Sequence, residues 1–239
     1  MNSQIDVKVI AIIPARGGSK RIPRKNVKSF FGVPILTHTI SEIKNTELFS
    51  RIIVSTDDQE ISEIAKSAGA EVMIRKPELA DDFATTVDVV AASILELQAN
   101  GILEEEVCCI YPVTPQLNKE YLKKAFLMLR SEKLDYVFTA KRFESSPWRA
   151  LKINEEGKSE MHYPENLNTR TQDLPELYHD AALFYIGTAR AWSQGKSILN
   201  GNSKFIEVGK YESLDVDNEE DWDMMLNIYK KTTNPESSN

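Results

Sequence analysis

Five apolar residues in an unbroken row, Val9-Ile10-Ala11-Ile12-Ile13, lead directly into Pro14-Ala15-Arg16-Gly17-Gly18. A largely β-branched run without polar alternation reads as a strand buried on both faces, the pattern of a central parallel strand. Pro14 closes the run, and two glycines then permit a tight turn with exposed backbone N–H groups. From Val7 to Ser41 there is no carboxylate, yet Lys8, Arg16, Lys20, Arg21, Arg24, Lys25 and Lys28 all fall inside. The whole chain is acidic, with a formal net charge of -7. Such segregation points to an anion site at the carboxyl end of a strand, where open α/β sheets bind ligands. A solvated basic loop is the plain alternative. P-loop spacing fails, because no glycine stands five residues before Gly17 or Gly18; the dinucleotide fingerprint fails because Ser19 to Asn26 holds no glycine.

The 239 residues suffice for one α/β domain with a sizeable core, or one domain carrying a small insertion. No apolar run approaches the ~20 residues of a membrane span, and Met1–Lys8 lacks a signal peptide's apolar core. The two cysteines, Cys108 and Cys109, are adjacent within an apolar run and read as buried thiols of a reducing compartment. The expectation is a cytoplasmic protein. Net negative charge argues against a nucleic-acid or anionic-membrane partner.

Along the chain, Ile35–Thr46 reads as a helix with Leu36, Ile40 and Ile43 on one face, and Arg51–Thr56 as a second buried strand. Asp57-Asp58 stands at a helix N-cap, with an apolar stripe of Ile61, Ile64, Ala65 and Ala68 before Gly69. A short strand Glu71–Arg75, a loop Lys76–Phe83, a helix Thr86–Ala99 and a strand Val107–Tyr111 follow. Then come a helix Tyr121–Ser131 and a strand Asp135–Ala140. This alternation calls for a Rossmann-like α/β fold: a mostly parallel sheet with helices on both faces. The rhythm breaks over residues 141–180, rich in Arg, Pro, Asn and aromatics, which read as an insertion into one domain spanning 1–231. Ala182–Ile186 resumes the sheet and Lys204–Val208 adds a strand. Glu212–Val216 is extended, Glu219–Lys231 is a terminal helix, and 232–239 reads as a frayed tail.

Beyond the first loop, three constellations bear on chemistry. In Ser213-Leu214-Asp215-Val216-Asp217, alternation puts both aspartates on one face, which suits Mg²⁺; alternatively Asp217 or Asn218 merely caps the next helix. Tyr111-Pro112-Val113-Thr114-Pro115 is either a stiff ligand-facing edge or a plain rigid turn. In the insertion, Arg149 and Arg170 stand among aromatics and hydrogen-bonding side chains, with His179-Asp180 after them. Arginine forks match carboxylates bidentately, or these two form surface salt bridges. His38 reads as structural, His162 as surface, and only His179 has a functional case. Asp81-Asp82 and Thr85-Thr86 read as a helix cap.

The stretch Ile13–Asn26 resembles the first motif of the cytidylyltransferases that activate acidic nine-carbon sugars, the CMP-sialic acid synthetase family. The S-x-D-x-D pattern at Ser213–Asp217 resembles the same family, and the likeness runs from Val9 to Tyr229 in family order. Tyr111, where sialic acid synthetases usually carry glutamine, is similar to the pseudaminic acid branch. So is the run Asn168–Gly187, except that Ala182-Leu183 replaces an expected glycine and glutamine.

The resemblance implies transfer of CMP from CTP to the C2 hydroxyl of pseudaminic acid, with loss of pyrophosphate, feeding surface-glycan or flagellin glycosylation. Legionaminic, sialic or a 3-deoxy-octulosonic acid are the alternative substrates, and a nucleotide-sensing module is the non-enzyme alternative. It implies CTP contacts from Ala15, Arg16, Gly17, Ser19, Lys20, Lys25, Asn26, Arg75 and Thr86. Arg16, Lys25 and Asp217 would be catalytic, with Mg²⁺ on Asp215 and Asp217. Sugar contacts would come from Tyr111, Arg149, Arg170 and His179. It further implies a homodimer in which the insertions swap arms.

Overall fold

The computed structural model describes residues 9–79, 84–102 and 105–233. The first half runs β1 (Val9–Pro14), a two-residue ribbon of β2 (Ser29–Phe30) and β3 (Val33–Pro34), α1 (Ile35–Thr46), β4 (Phe49–Thr56), α2 (Gln59–Ser67), β5 (Glu71–Ile74) and α3 (Thr86–Ala99). Then follow β6 (Glu106–Ile110), α4 (Lys119–Ser131), β7 (Tyr136–Arg142), a hairpin of β8 (Leu151–Ile153) and β9 (Ser159–Met161), β10 (Tyr178–Thr188), α5 (Ala189–Ser193), β11 (Ser203–Glu207) and α6 (Glu219–Thr233).

Seven strands form one sheet in the order β11-β7-β10-β6-β1-β4-β5. β1 is central, paired in parallel with both β4 and β6. Val9 to Ile13 are each at most 1% exposed because both faces of the strand are covered. Val9, Ala11 and Ile13 pack with Leu36, Ile40 and Phe126 of α1 and α4. Ile10 and Ile12 point the other way, toward Val90 and Ile94 of α3 and Trp192 of α5. The strand alternation of period two thus serves two cores at once. α6 closes a third cluster, in which Trp222 and Met225 pack on Ile22, Phe30, Ile35 and Val216.

The sheet is mostly parallel, as expected, but β10 runs antiparallel to both its neighbours, β6 and β7. It is also longer than the expected Ala182–Ile186, because Tyr178, His179 and Asp180 already pair with Arg142, Lys141 and Ala140. Its register breaks between Asp180 and Tyr185, where Ala182 takes a left-handed φ of 52°. The helix α5 has no counterpart in the sequence reading: five residues are too few to show a 3.6 period. α6 continues through Thr233, two residues into the expected tail. Cys108 and Cys109 are free and fully buried, and burial pushes both thiols well above their ordinary pKa. Among the described residues no helix is long and apolar enough to cross a membrane.

Candidate active site

The basic loop leaves β1 at the carboxyl edge, beside the point where strand order reverses from β4 to β6. Its backbone is held from several sides. Ala15 N–H donates to the Ser55 carbonyl at 2.9 Å, and Gly17 N–H donates to Asp57 Oδ1 at 3.0 Å. A side chain at Gly17 would put its Cβ 2.7 Å from Asp58 Oδ2, so close packing demands glycine there. Arg24, at φ 57°, grips Asp58 through two hydrogen bonds of 2.5 and 3.0 Å and also pairs with Glu60. That fork holds the Asp58 carboxyl below the ordinary aspartate range. Buried Asn26 donates its amide to the Arg16 carbonyl at 2.9 Å. Ser19 and Lys20 sit on the outer turn, with Ser19 N–H donating to the Gly17 carbonyl at 3.1 Å.

Lys25 reaches across the site. Its Nζ donates to the Val216 carbonyl at 2.7 Å, inside the Ser213–Asp217 segment. Burial lowers its pKa, while Asp217 and Asp215 pull it back up and Arg21 and Arg16 oppose them. Lys141, from β7, makes the matching contact on the other flank, donating to the Ser213 carbonyl at 2.8 Å. Ser213 itself is buried and donates its hydroxyl to the Ala181 carbonyl. The segment belongs to no strand; Val216 is 2% exposed in the α6 cluster, whereas Asp215 is exposed and Asp217 partly so.

The cap alternative for Asp217 is resolved by Asn218 and Asp221. Asp221 N–H donates to Asn218 Oδ1 at 2.9 Å, while Asp221 Oδ2 accepts from the N–H groups of Asp217 and Asn218. This reciprocal box caps α6 and leaves the Asp217 carboxylate for other work. That carboxylate pairs with Arg21 at 2.6 Å. Burial, then the neighbouring Asp217 charge, raises the Asp215 pKa, with Lys25 and Arg21 pulling it down. Two adjacent carboxylates fit Mg²⁺, which takes few carboxylates and fills its shell with phosphate oxygens and water. Among the described residues no group of three or more His, Cys, Asp or Glu could hold a metal alone.

Arg75 is 9% exposed beyond the end of β5, donating to the carbonyls of Ser55 at 2.9 Å and Leu79 at 3.4 Å. Its buried Nε has no partner among the described residues, an open donor at the ligand-facing edge. Asp81 and Asp82 lie outside the described residues. Thr85 caps α3 in a reciprocal box with Asp88, which frees Thr86 to meet the Tyr111 hydroxyl at 3.0 Å. Tyr111 follows β6, packed edge-on to Tyr185 with ring centroids 5.6 Å apart.

The insertion arginines do not join this cluster within one chain. Arg149 donates to the carbonyls of Leu167 and Thr169, so it braces a turn of the insertion itself. Arg170 pairs with Asp173 at 2.7 Å on the surface. His179 is exposed, its ring against Phe143 at 4.9 Å. His38 holds the Phe30 carbonyl at 2.8 Å and is structural, as its helix position indicates. Lys141 and Tyr185 escaped the sequence reading as site-building groups, and Arg21 and Asp180 entered it only as members of longer runs, without their partners. Each acts through a partner more than thirty residues away or across a register break, and only the Asn218-x-x-Asp221 spacing was legible locally.

Residues 10–227 match the family model described as Cytidylyltransferase. The chain is 36% identical over 225 residues to a pseudaminic acid cytidylyltransferase of Campylobacter jejuni, covering 94% of this chain and 97% of that protein. It is 39% identical over 212 residues to a Helicobacter pylori protein named as a pseudaminic acid cytidylyltransferase and UDP-2,4-diacetamido-2,4,6-trideoxy-beta-L-altropyranose hydrolase, covering 88% of this chain and 40% of that longer protein. Among solved structures, a CMP:2-keto-3-deoxy-manno-octonic acid synthetase complexed with CTP superposes with a TM-score of 0.69 at 14% identity, covering 94% of this chain and 99% of that one. That last likeness concerns the fold. With the family model spanning nearly the whole sheet, from β1 into α6, the chain belongs to the cytidylyltransferase family and is a cytidylyltransferase.

Proposed function

We propose that this enzyme transfers CMP from CTP to the anomeric C2 hydroxyl of pseudaminic acid, releasing pyrophosphate. The observation that carries the reading is the bridge from Lys25 to Val216, which sets a cationic loop against the Asp215–Asp217 carboxylate pair at the ligand edge. A polyanionic triphosphate fits between them. Arg16 and Lys25 offset phosphate charge, and the loop residues Ala15, Gly17, Ser19, Lys20 and Asn26, with Arg75 and Thr86, orient the nucleotide. Asp215 and Asp217 would hold Mg²⁺, which when bound would supply Lewis-acid charge to the reacting phosphoryl group. The sugar hydroxyl attacks the α-phosphorus in line, the bond to the β-phosphate oxygen breaks, and most of the acceleration is positional and electrostatic. Tyr111 and His179 meet the sugar acid, and Arg149 and Arg170 serve its carboxylate. The curated relatives named as pseudaminic acid cytidylyltransferases support this substrate over sialic acid.

The insertion completes the reading. Leu151, Ile153 and Leu167 are 68%, 78% and 62% exposed on a hairpin and turn too small to bury them. Large apolar side chains exposed on so small an arm mark an interface, and a second copy exchanging the same arm across a two-fold axis would cover them. The enzyme then works as a homodimer. Pyrophosphate release with CTP and Mg²⁺ is to be measured across a panel of pseudaminic, legionaminic, sialic and eight-carbon sugar acids. The highest kcat/KM is expected with pseudaminic acid; a higher value with another member reassigns the substrate.

A further inference from the structure

Residues Ser213 to Asp217 belong to no strand, so no sheet ladder supplies partners for their carbonyls. Two ammonium groups grip the segment instead. Lys25 Nζ donates to the Val216 carbonyl at 2.7 Å, and Lys141 Nζ donates to the Ser213 carbonyl at 2.8 Å. Asp215 stands between the two gripped residues and Asp217 directly after the second. The grips come from separate parts of the sheet: Lys25 from the loop after β1, Lys141 from the rim of β7, with β10 and β6 between. The buried Ser213 hydroxyl, donating to the Ala181 carbonyl of β10, fastens the same end as Lys141.

Lys141 is delivered by a strand rather than a loop. It pairs opposite His179 of β10, and its neighbour Ala140 pairs with Asp180, so its backbone has little freedom. The side chain is half-buried; burial lowers its pKa, and the charges of Asp215 and then Glu144 raise it. A lysine held in this way loses rotamer freedom and part of its hydration, so its bond has to offset both. A charge-assisted donor does so better than a neutral one, its bond being roughly twice as strong. What it holds is the first carbonyl of the segment that carries both aspartates.

We infer that Lys141 is a positioning residue for the aspartate pair: through the Ser213 carbonyl it fixes one end of their segment, as Lys25 fixes the other, and so sets Asp215 for Mg²⁺. This rests on the reading that the two aspartates hold the metal. Asp217 has supports of its own, because Asp221 accepts its N–H at 2.9 Å and Arg21 pairs with its carboxylate at 2.6 Å. Asp215, two residues from Ser213, depends on the end that Lys141 holds. The basic loop does not depend on Lys141. Losing the ammonium should therefore show in metal binding and leave metal-free nucleotide binding alone.

Lys141→Met keeps the apolar stem and removes the ammonium. Against the parent, it should lose about tenfold in kcat and about tenfold in the gain in CTP affinity that calorimetry records on adding Mg²⁺. Its CTP affinity without metal, and its KM for the panel sugar acid turned over best, should stay within about twofold. Lys141→Arg keeps a cationic donor and should regain most of both losses. An intact Mg²⁺-dependent gain in Lys141→Met would overturn the inference, whatever happens to turnover; a rise in the sugar-acid KM alone would move the ammonium to the sugar. A parent enzyme with no such gain would overturn the metal reading, and this inference with it. Should Lys141→Met fail to fold, Lys141→Gln decides on the same two measurements. Uncharged and one bond shorter, it should show both losses, and full retention of the gain would sink the positioning role.

Discussion

Lys25 and Val216 are separated by 191 residues, yet the ammonium of one donates to the carbonyl of the other at 2.7 Å. The contact leaves the lysine charge free on its remaining donors, half-buried and facing the two aspartates. Replacing Lys25 with Ala should therefore weaken CTP much more than cytidine. The expected difference is one charge-assisted hydrogen bond, roughly 1.5–3 kcal/mol. Titration calorimetry with both ligands measures it, and equal losses would reduce the loop to scaffold.

Asp217 and Asn218 are adjacent but do separate jobs, which two substitutions should pull apart. Asp217→Ala should lower turnover by at least ~10²-fold with its thermal melt nearly unchanged. Asn218→Ala should instead cost about 1 kcal/mol of stability, because it removes the side chain that caps α6. Pyrophosphate release and urea unfolding on both variants provide the comparison.

Ala182 occupies a left-handed conformation that an L side chain adopts at a cost of about 1–2 kcal/mol. Glycine removes the clash but adds freedom to the unfolded chain, which offsets part of the gain. Ala182→Gly should raise stability by about 0.5–1 kcal/mol, a shift of roughly 2 °C in the melting midpoint. Differential scanning calorimetry checks the sign.

Arg24 and Asp58 give the fold one of its acid-sensitive contacts. Their hydrogen bonds hold the folded carboxyl below the unfolded value, so the carboxylate binds fewer protons folded than unfolded. Stability from the pair is complete above about pH 4 and disappears as pH falls through the folded value. Arg24→Gln should be less stable than the parent at pH 7, and the gap should close as pH falls through the folded value. Urea midpoints at a series of pH values record this directly.

Arg149 braces its own insertion in one chain, and the arm-exchange reading carries it to a neighbouring site. Inactive Asp217→Ala and Arg149→Ala chains, unfolded, mixed and refolded together, should recover roughly a quarter of full activity if pairing is random. A verified heterodimer without activity would return Arg149 to its own subunit. A monomer by light scattering would end the exchange model.

The parts of this molecule that were legible in the sequence are those written in local pattern. The run at Val9–Ile13 placed the central strand, an apolar stripe placed α1 at its observed limits, and the helix expected over Thr86–Ala99 matches α3. The cationic loop and the two aspartates were readable because charge segregation and alternation are properties of short windows. The reversal of β10 was not, since strand direction depends on which neighbours pair and no single window encodes that. Likewise Tyr185 was legible only as one residue of the strand Ala182–Ile186. The kink at Ala182 brings its hydroxyl to Asp180, and the one hint of it was the glycine that the resemblance expects at that position.

The reversed β10 has a wider consequence. Parallel strands hand their following segments to the ligand edge, whereas a reversed strand receives its preceding segment there. The chain leaves β7 and enters β10 at the same rim, because Arg142 and Tyr178 are opposite one another. Everything between them is an excursion that starts and finishes at one address, with no crossover to thread. Such a segment can grow, shrink or be exchanged wholesale while the strands on either side keep their register. On the proposed placement of the sugar acid, new sugar chemistry could be acquired at that rim without touching the strands beside the basic loop.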